Sequence, residues 1–475
     1  MTVRRRLNAL TIKLLSCLPL AALSSTANAQ ATALVGVTVV DPSASIPAVQ
    51  DQTIVISNGL IETIGPAGST AIPRGATRVD ARGKFIIPGL WDSHVHFMNA
   101  TGSVLPVYVA LGVTSVREMG GYLDSTRKWQ ARMKAGTLVG PRILTPGPIL
   151  ESPAYLQNVR DRSLRDPRIG QRVLPYRIGV GNAADAKKAI DSLVKLKVDF
   201  VKIRTTATPE AYFAILREAK RAGLVVAGHQ PSVVPVAVAV DSGQRDIEHA
   251  IGPPLSRLSS DARDSIYLEF AKFGTWYTPT LVVSKAVTLP ATAAMAAIFG
   301  DSALRNDERR PYASPWLLEW WRMQVEERMT DTSSARAAGA QELYESSVAD
   351  VRRMHELGVL MLAGTDAGSV LVYPGFALHE ELRMLVEDAG FSPIDALWSA
   401  TIGPARFAKL DATLGSITKG KIADLVLLDA NPLDNIRNTR SIFGVVQGGK
   451  FYSRTSLDAM LAKARAGTTR LESRN

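Results

Sequence analysis

Thiols are almost absent from this chain: among 475 residues there is one cysteine, Cys17, and it lies in the N-terminal leader. A lone thiol allows no internal disulfide and no zinc–thiolate cluster, so any metal must be held by nitrogen and oxygen ligands. Histidine is scarce as well, six in all, so the placement of each is informative. Past the leader no apolar run is long enough to span a bilayer, which needs about 20 residues. Charge of one sign is not clustered either. The formal charge is +11, but Lys and Arg are scattered, which tolerates an acidic substrate and gives nucleic-acid binding little support.

The one conspicuous apolar run, Leu14 to Leu23, follows Arg4, Arg5, Arg6 and Lys13 and precedes the small-residue site Ala27-Asn28-Ala29. That order predicts a secretory signal peptide over 1–29, cleaved near Ala29, and a periplasmic or secreted protein with no integral membrane segment. Leu14-Leu15-Ser16-Cys17 faintly resembles a lipoprotein processing site, but Lys13 would interrupt its apolar region, and lipidation is the minor reading. The leader holds four of the 55 basic residues and no acidic one, so its loss lowers the formal charge from +11 to +7.

With 46% hydrophobic residues the chain can bury a large core, and its length suggests one big domain plus a small one. Short alternating apolar runs with turn punctuation fill Ala33 to about Arg82, and the same texture returns in Ala423 to Asp429 and Ser441 to Gly449. We therefore expect a composite β-sandwich built from 30–84 and 408–475. Between them, over 85–407, β-branched segments alternate with amphipathic helical stretches, as in a (β/α)8 TIM barrel. The candidate strands are Phe85 to Phe97, Gly112 to Met119, Arg142 to Leu150, Asp199 to Thr206, Leu224 to Gln230, Asp246 to Gly252, Thr275 to Val283 and Val359 to Asp366. Helices are expected at Ala183 to Leu196 and Pro209 to Arg221. A long insertion, 284–347, carries Pro311, Pro315, Trp316, Trp320 and Trp321. Following a barrel strand, it would lie on the active-site face as a lid or substrate wall. A peripheral helical hairpin or an oligomer contact fits its aromatics equally well.

His94 and His96 end the first strand, and residues two apart on a strand face the same side, so both imidazoles can address one ion. His229 and His249 end strands five and six, which places four of the six histidines at strand ends. Asp366 ends strand eight, which in a closed barrel lies beside strand one. Lys202, on strand four, would repel cations as an ammonium; carboxylated by CO2 it could bridge two of them. Two divalent ions sharing a hydroxide, with Asp366 shuttling the proton, would make a hydrolytic centre. A barrel whose polar residues merely satisfy one another is the bland alternative, and the ordered placement of five ligand-type strand ends weighs against it. His355 reads as a surface helix residue and His379 as packing, and both stay outside the expected site.

These residues resemble the amidohydrolase superfamily, within it the prolidase-like and imidazolonepropionase-related group. The resemblance spans nearly all of the mature chain. It rests on Pro88-Gly89-Leu90-Trp91-Asp92-Ser93-His94-Val95-His96, on Lys202, His229 and His249, on Ala363-Gly364-Thr365-Asp366-Ala367-Gly368, and on Lys419-Gly420-Lys421-Ile422-Ala423-Asp424-Leu425-Val426. It implies that His94, His96 and Asp366 hold one ion, His229 and His249 the other, with N6-carboxylysine at Lys202 bridging. Zinc is the usual ion. One departure is Gly147-Pro148-Ile149-Leu150-Glu151-Ser152-Pro153-Ala154-Tyr155, where many prolidase-like members are rich in glycine and histidine, so the substrate pocket is expected to differ.

The expected activity is hydrolysis of an amide bond in a dipeptide or N-acyl amino acid through a metal-bridging hydroxide. Arg204, two residues beyond Lys202, is a candidate anchor for a substrate carboxylate, against an equal alternative as a structural ion pair. A cyclic amide, lactone, carbamate or aryl amide xenobiotic is the competing substrate class. A periplasmic binding protein with a degenerate barrel is the non-enzymatic competitor, and it would show a missing ligand. A small-molecule or dipeptide-like partner is expected, no nucleic acid, and a homo-oligomer is compatible with the sequence.

Overall fold

Asn58-Gly59 and Gly448-Gly449 have the left-handed backbone of tight hairpin turns, with φ of 51°, 83°, 56° and 83° in that order. The first joins Ala48–Ser57 to Leu60–Pro66 and the second joins Ile442–Gln447 to Lys450–Ser453. The computed structural model describes residues 31–97, 102–249, 258–299, 307–329 and 334–472. The leader expected over 1–29, with Cys17, lies outside the described residues.

Both hairpins belong to one eight-stranded mixed sheet. Thr32–Val40 pairs antiparallel with Ala48–Ser57, and Phe85–Pro88 pairs antiparallel with Leu425–Leu428. The two ends of the chain thus share one apolar core, with Leu34, Ile54, Ile61 and Ile86 from one side and Leu425, Leu427 and Val446 from the other. The terminal unit anticipated as a sandwich takes the form of this single sheet. The last residues add a helix, Arg454–Glu472, which packs on the helix Leu105–Ala110.

The segment read as one strand from Phe85 to Phe97 is two, divided at Gly89. Phe85–Pro88 stays in the terminal sheet and Leu90–Val95 begins the barrel. A side chain at Gly89 would stand 2.2 Å from Thr114 Oγ1, so only glycine lets the chain cross there.

Leu90–Val95, Val113–Glu118 and Arg142–Leu144 pair in parallel, and Val201–Ile203, Val226–His229, Asp246–Glu248, Trp276–Thr278 and Leu360–Met361 continue in order. Backbone hydrogen bonds from Asp199 to Thr145 (2.9 Å) and from Ser93 to Ala363 (2.9 Å) join the two runs into a ring. The third strand is broken: after Leu144 it bends and resumes as Ile149–Glu151, which pairs with Val201–Ile203 and with an extra strand, Arg177–Gly179.

Helix Ala183–Lys195 buries Ala186, Ala189, Ile190 and Leu193, the spacing of one helical face, and Asn182 caps its start. Pro209–Arg221 is capped by Thr208, with Pro209 in the first turn. The insertion after strand seven forms the helices Leu281–Thr288, Ala291–Phe299 and Pro315–Arg328, followed by the long helix Ser334–Glu356. No single helix among the described residues is long and apolar enough to cross a membrane.

Candidate functional site

Strand alternation carries His94 to the barrel mouth fully buried, and both of its ring nitrogens lack a hydrogen-bond partner. Its Nε2 lies 3.4 Å from Asp366 Oδ1, and His96 Nε2 lies 3.2 Å from the same oxygen. His94, His96 and Asp366 form a group able to hold a metal ion, and His94, Glu248 and His249 form a second. The His229 and His249 rings meet edge-on at 4.9 Å. Lys202 is buried and its ammonium is paired with Glu248.

His96, Lys202, His229, His249, Asp366 and Arg204 all line one cavity of about 690 Å³, together with Trp320, Met323 and Gln324 of the insertion. The insertion is therefore part of the cavity wall. Neither His355 nor His379 joins the cluster. His355 stacks on Phe391 at 3.8 Å, and His379 is satisfied in the core by Thr439 Oγ1 (2.9 Å) and the Leu111 carbonyl (3.0 Å).

The electrostatics favour neutral imidazoles at His94 and His229. Burial, reinforced by neighbouring His249 and Lys202, holds His94 well below the ordinary histidine value, and burial with Lys202 does the same to His229. Burial alone would raise the Asp366 carboxyl, but His96, His249 and the Ser369 hydroxyl outweigh it and hold it at about 2. A deprotonated, partnerless imidazole beside a carboxylate is costly to bury on its own and is well suited to a divalent cation. The residues present thus fit the metal that the sequence implied.

A supporting layer went unnoticed in the sequence. Arg117, buried beneath the cluster, donates to Asp246 Oδ2 (2.5 Å), Glu248 Oε1 (3.4 Å) and the Ser93 carbonyl (2.6 Å). Asp92 accepts from Thr365 Oγ1 (2.7 Å) and from the amides of Thr365 (3.0 Å) and His94 (3.3 Å), tying strand one to the Asp366 turn. His249 adopts φ of +64° and is held there by its own amide on Thr278 O (2.9 Å), by Tyr277 OH on its carbonyl (2.6 Å) and by Thr280 Oγ1 against its Nδ1 (2.8 Å). Contacts on that nitrogen leave Nε2 free for a ligand role. Glu248 had a readable signal: Asp246 and Glu248 are two apart on a barrel strand, the same spacing that singled out His94 and His96.

A parallel barrel with imidazoles, a lysine and a carboxylate gathered at the C-terminal ends of its strands defines a metal-site hydrolase class. The chain belongs to the amidohydrolase family, whose model matches residues 85–452. Among characterised relatives, the ochratoxinase of Aspergillus niger is 23% identical over 454 residues, covering 85% of this chain and 83% of that one. Among solved structures, a Bifidobacterium longum protein provisionally named a prolidase superposes with a TM-score of 0.68 at 25% identity, over 92% of this chain and 99% of its own. A Xaa-Pro dipeptidase with methionine bound in its active site superposes with a TM-score of 0.64 at 22% identity, over 89% of this chain and all of that one, a likeness of fold.

Proposed function

We propose that this amidohydrolase is a binuclear metal-dependent enzyme that cleaves the amide bond of a dipeptide or N-acyl amino acid. The observation that carries the reading is His94, a partnerless buried imidazole between the carboxylates of Glu248 and Asp366, beside the cavity that His96, His249, Asp366 and Arg204 line. His94, His96 and Asp366 would hold one ion, His229 and His249 the other, and Lys202, as N6-carboxylysine, would bridge them. Zinc is the ion we favour; when bound, the ions supply an activated water and polarise the scissile carbonyl. Asp366, ionised at neutral pH, accepts the proton of the attacking water and returns it to the leaving amine.

Arg204 stacks on Tyr155 at 4.4 Å and leaves a third of its side chain exposed to the cavity. Its Nη1 lies 3.4 Å from Glu151, but that carboxylate also takes Arg177 and the Thr205 hydroxyl. A guanidinium held over a ring in this way is suited to a substrate carboxylate. A bulkier xenobiotic amide is the second reading, supported by the cavity's volume and by the similarity to an ochratoxinase. We also infer export, from the leader read over 1–29. N-terminal sequencing of the mature protein should begin at Gln30.

Elemental analysis, paired with a panel of dipeptides and N-acyl amino acids, tests the reading. Two ions per chain with amide cleavage would support it. Metal without cleavage would move the reading to the xenobiotic amides, and no uptake of zinc in the presence of bicarbonate would overturn the site.

A further inference from the structure

The insertion helix Pro315–Arg328 has two different faces. Trp320, Met323 and Gln324 line the site cavity. Trp321, the next residue after Trp320, is fully buried in an apolar cluster with Leu318, Val325, Val370 and Tyr373. Its indole Nε1 donates to the carbonyl of Gly368 at 3.0 Å, and its ring meets Tyr373 edge-on at 5.1 Å.

Gly368 stands two residues after Asp366, in a segment held against its own backbone preference. The φ values are +58° at Asp366, +112° at Gly368 and +61° at Leu371, and two of these are not glycines. Strained backbone persists only where its surroundings over-determine it. On the barrel side, the Asp366 amide donates to His94 O (2.7 Å) and the His96 amide to Ala367 O (2.8 Å). Within the turn, the Ser369 amide reaches Asp366 O (3.0 Å) and its hydroxyl reaches Asp366 Oδ2 (2.8 Å). Inward the turn has no slack, since a Cβ on Gly368 would stand 2.9 Å from His96 O. On its other side the Gly368 carbonyl is taken by the Trp321 indole N–H.

We propose that Trp321 is a positioning residue whose indole N–H, on the Gly368 carbonyl, fixes the turn that aims Asp366 at His94 and His96. The insertion then does more than wall the cavity: it completes the metal site from outside the barrel. This rests on the reading of Asp366 as metal ligand and proton carrier. A tryptophan that only filled the core would also seek an acceptor for its N–H, but removing its donor would then disturb stability and leave zinc affinity and turnover in place.

The test compares Trp321→Phe with Val325→Ala in the full mature chain. Val325 is fully buried in the same cluster, with no bond to the turn. Zinc is titrated into metal-free protein against a fluorescent chelator in the presence of bicarbonate, and turnover is measured on the best amide of the panel. Losing the donor leaves a buried carbonyl unpaired, so Trp321→Phe should weaken zinc at one site about tenfold and lower kcat by a similar factor, with KM within about twofold. Val325→Ala should lower thermal stability and leave zinc affinity and kcat at the parent values. Parent-like zinc binding and turnover in Trp321→Phe, or an equal loss in Val325→Ala, would overturn the proposal. Should Trp321→Phe not fold, 3-benzothienylalanine at position 321 keeps the ring volume without the donor and is held to the same outcomes. Asp366→Asn separates the two ideas. If it binds zinc and turns over normally, the reading of Asp366 fails; if it is impaired while Trp321→Phe is not, only the positioning role fails.

Discussion

Asp366 sits where two imidazoles, a serine hydroxyl and a strained backbone converge. Asp366→Asn keeps the shape and removes the charge, so kcat should fall more than about a thousandfold, within the usual range for a proton-transfer group. Steady-state kinetics on the best panel amide measure this. Arg204→Met should weaken binding of carboxylate-bearing substrates more than of their C-terminal amides. KM ratios for matched pairs decide it, and equal losses would return Arg204 to an ion-pair role with Glu151. At this scale the imidazoles were legible because His94 and His96 are two apart on one strand and His229 and His249 end two others, four of only six histidines in the chain. Glu248 and Asp246 obey the same spacing, but acids are common and a search for imidazoles passes over them. Arg117 was one base among 55 scattered ones, and only the fold shows that it lies under the site.

The elements around strand seven are held by a distant carboxylate. Glu381, on helix Phe376–Glu387, accepts from the amides of Leu281 (3.0 Å) and Val282 (2.8 Å), the open start of helix Leu281–Thr288, just past the Thr280 that touches His249. Burial raises the Glu381 carboxyl from 4.5 to about 8, with those two amides only partly opposing it. Between these values the folded chain keeps a proton that the unfolded chain has released, so this group makes stability fall as pH rises from about 4.5 to about 8. Glu381→Gln keeps an acceptor oxygen and cannot ionise, so it should flatten that slope. Buried Asp92, Glu118 and Asp246, each raised to about 7, slope the same way. The informative quantity is therefore the parent-minus-variant difference in Tm across pH 5 to 8, and a difference independent of pH would remove Glu381 from the account. The barrel helices were readable as amphipathic stretches ending just before the next strand, as in Ala183–Lys195. The break in strand three and the division at Gly89 were not, because an apolar run does not say which sheet it enters.

At the scale of the molecule the site is assembled from the whole barrel. Its residues come from strands one, four, five, six and eight, and strand one is continuous through Gly89 with a sheet that both ends of the chain build. Such ligands converge only in the folded state, so ions that bind there stabilise that state by linkage, about 2.7 kcal/mol when free metal exceeds Kd a hundredfold. Stripping the metal should therefore lower Tm by several degrees, and zinc with bicarbonate should restore it. On the proposed carbamate reading bicarbonate should matter, because Lys202 without it is paired with Glu248 as an ammonium. As a cation it adds to the positive charge of the centre; as a carbamate it would help to neutralise the ions. Zinc without bicarbonate should thus restore less of the Tm than zinc with it. Thermal melts of parent, stripped and reloaded protein, each with its metal content, make the measurement. An unchanged Tm after proven loss of metal would mean that the ions are not held by the barrel mouth, and the binuclear reading would fall with it.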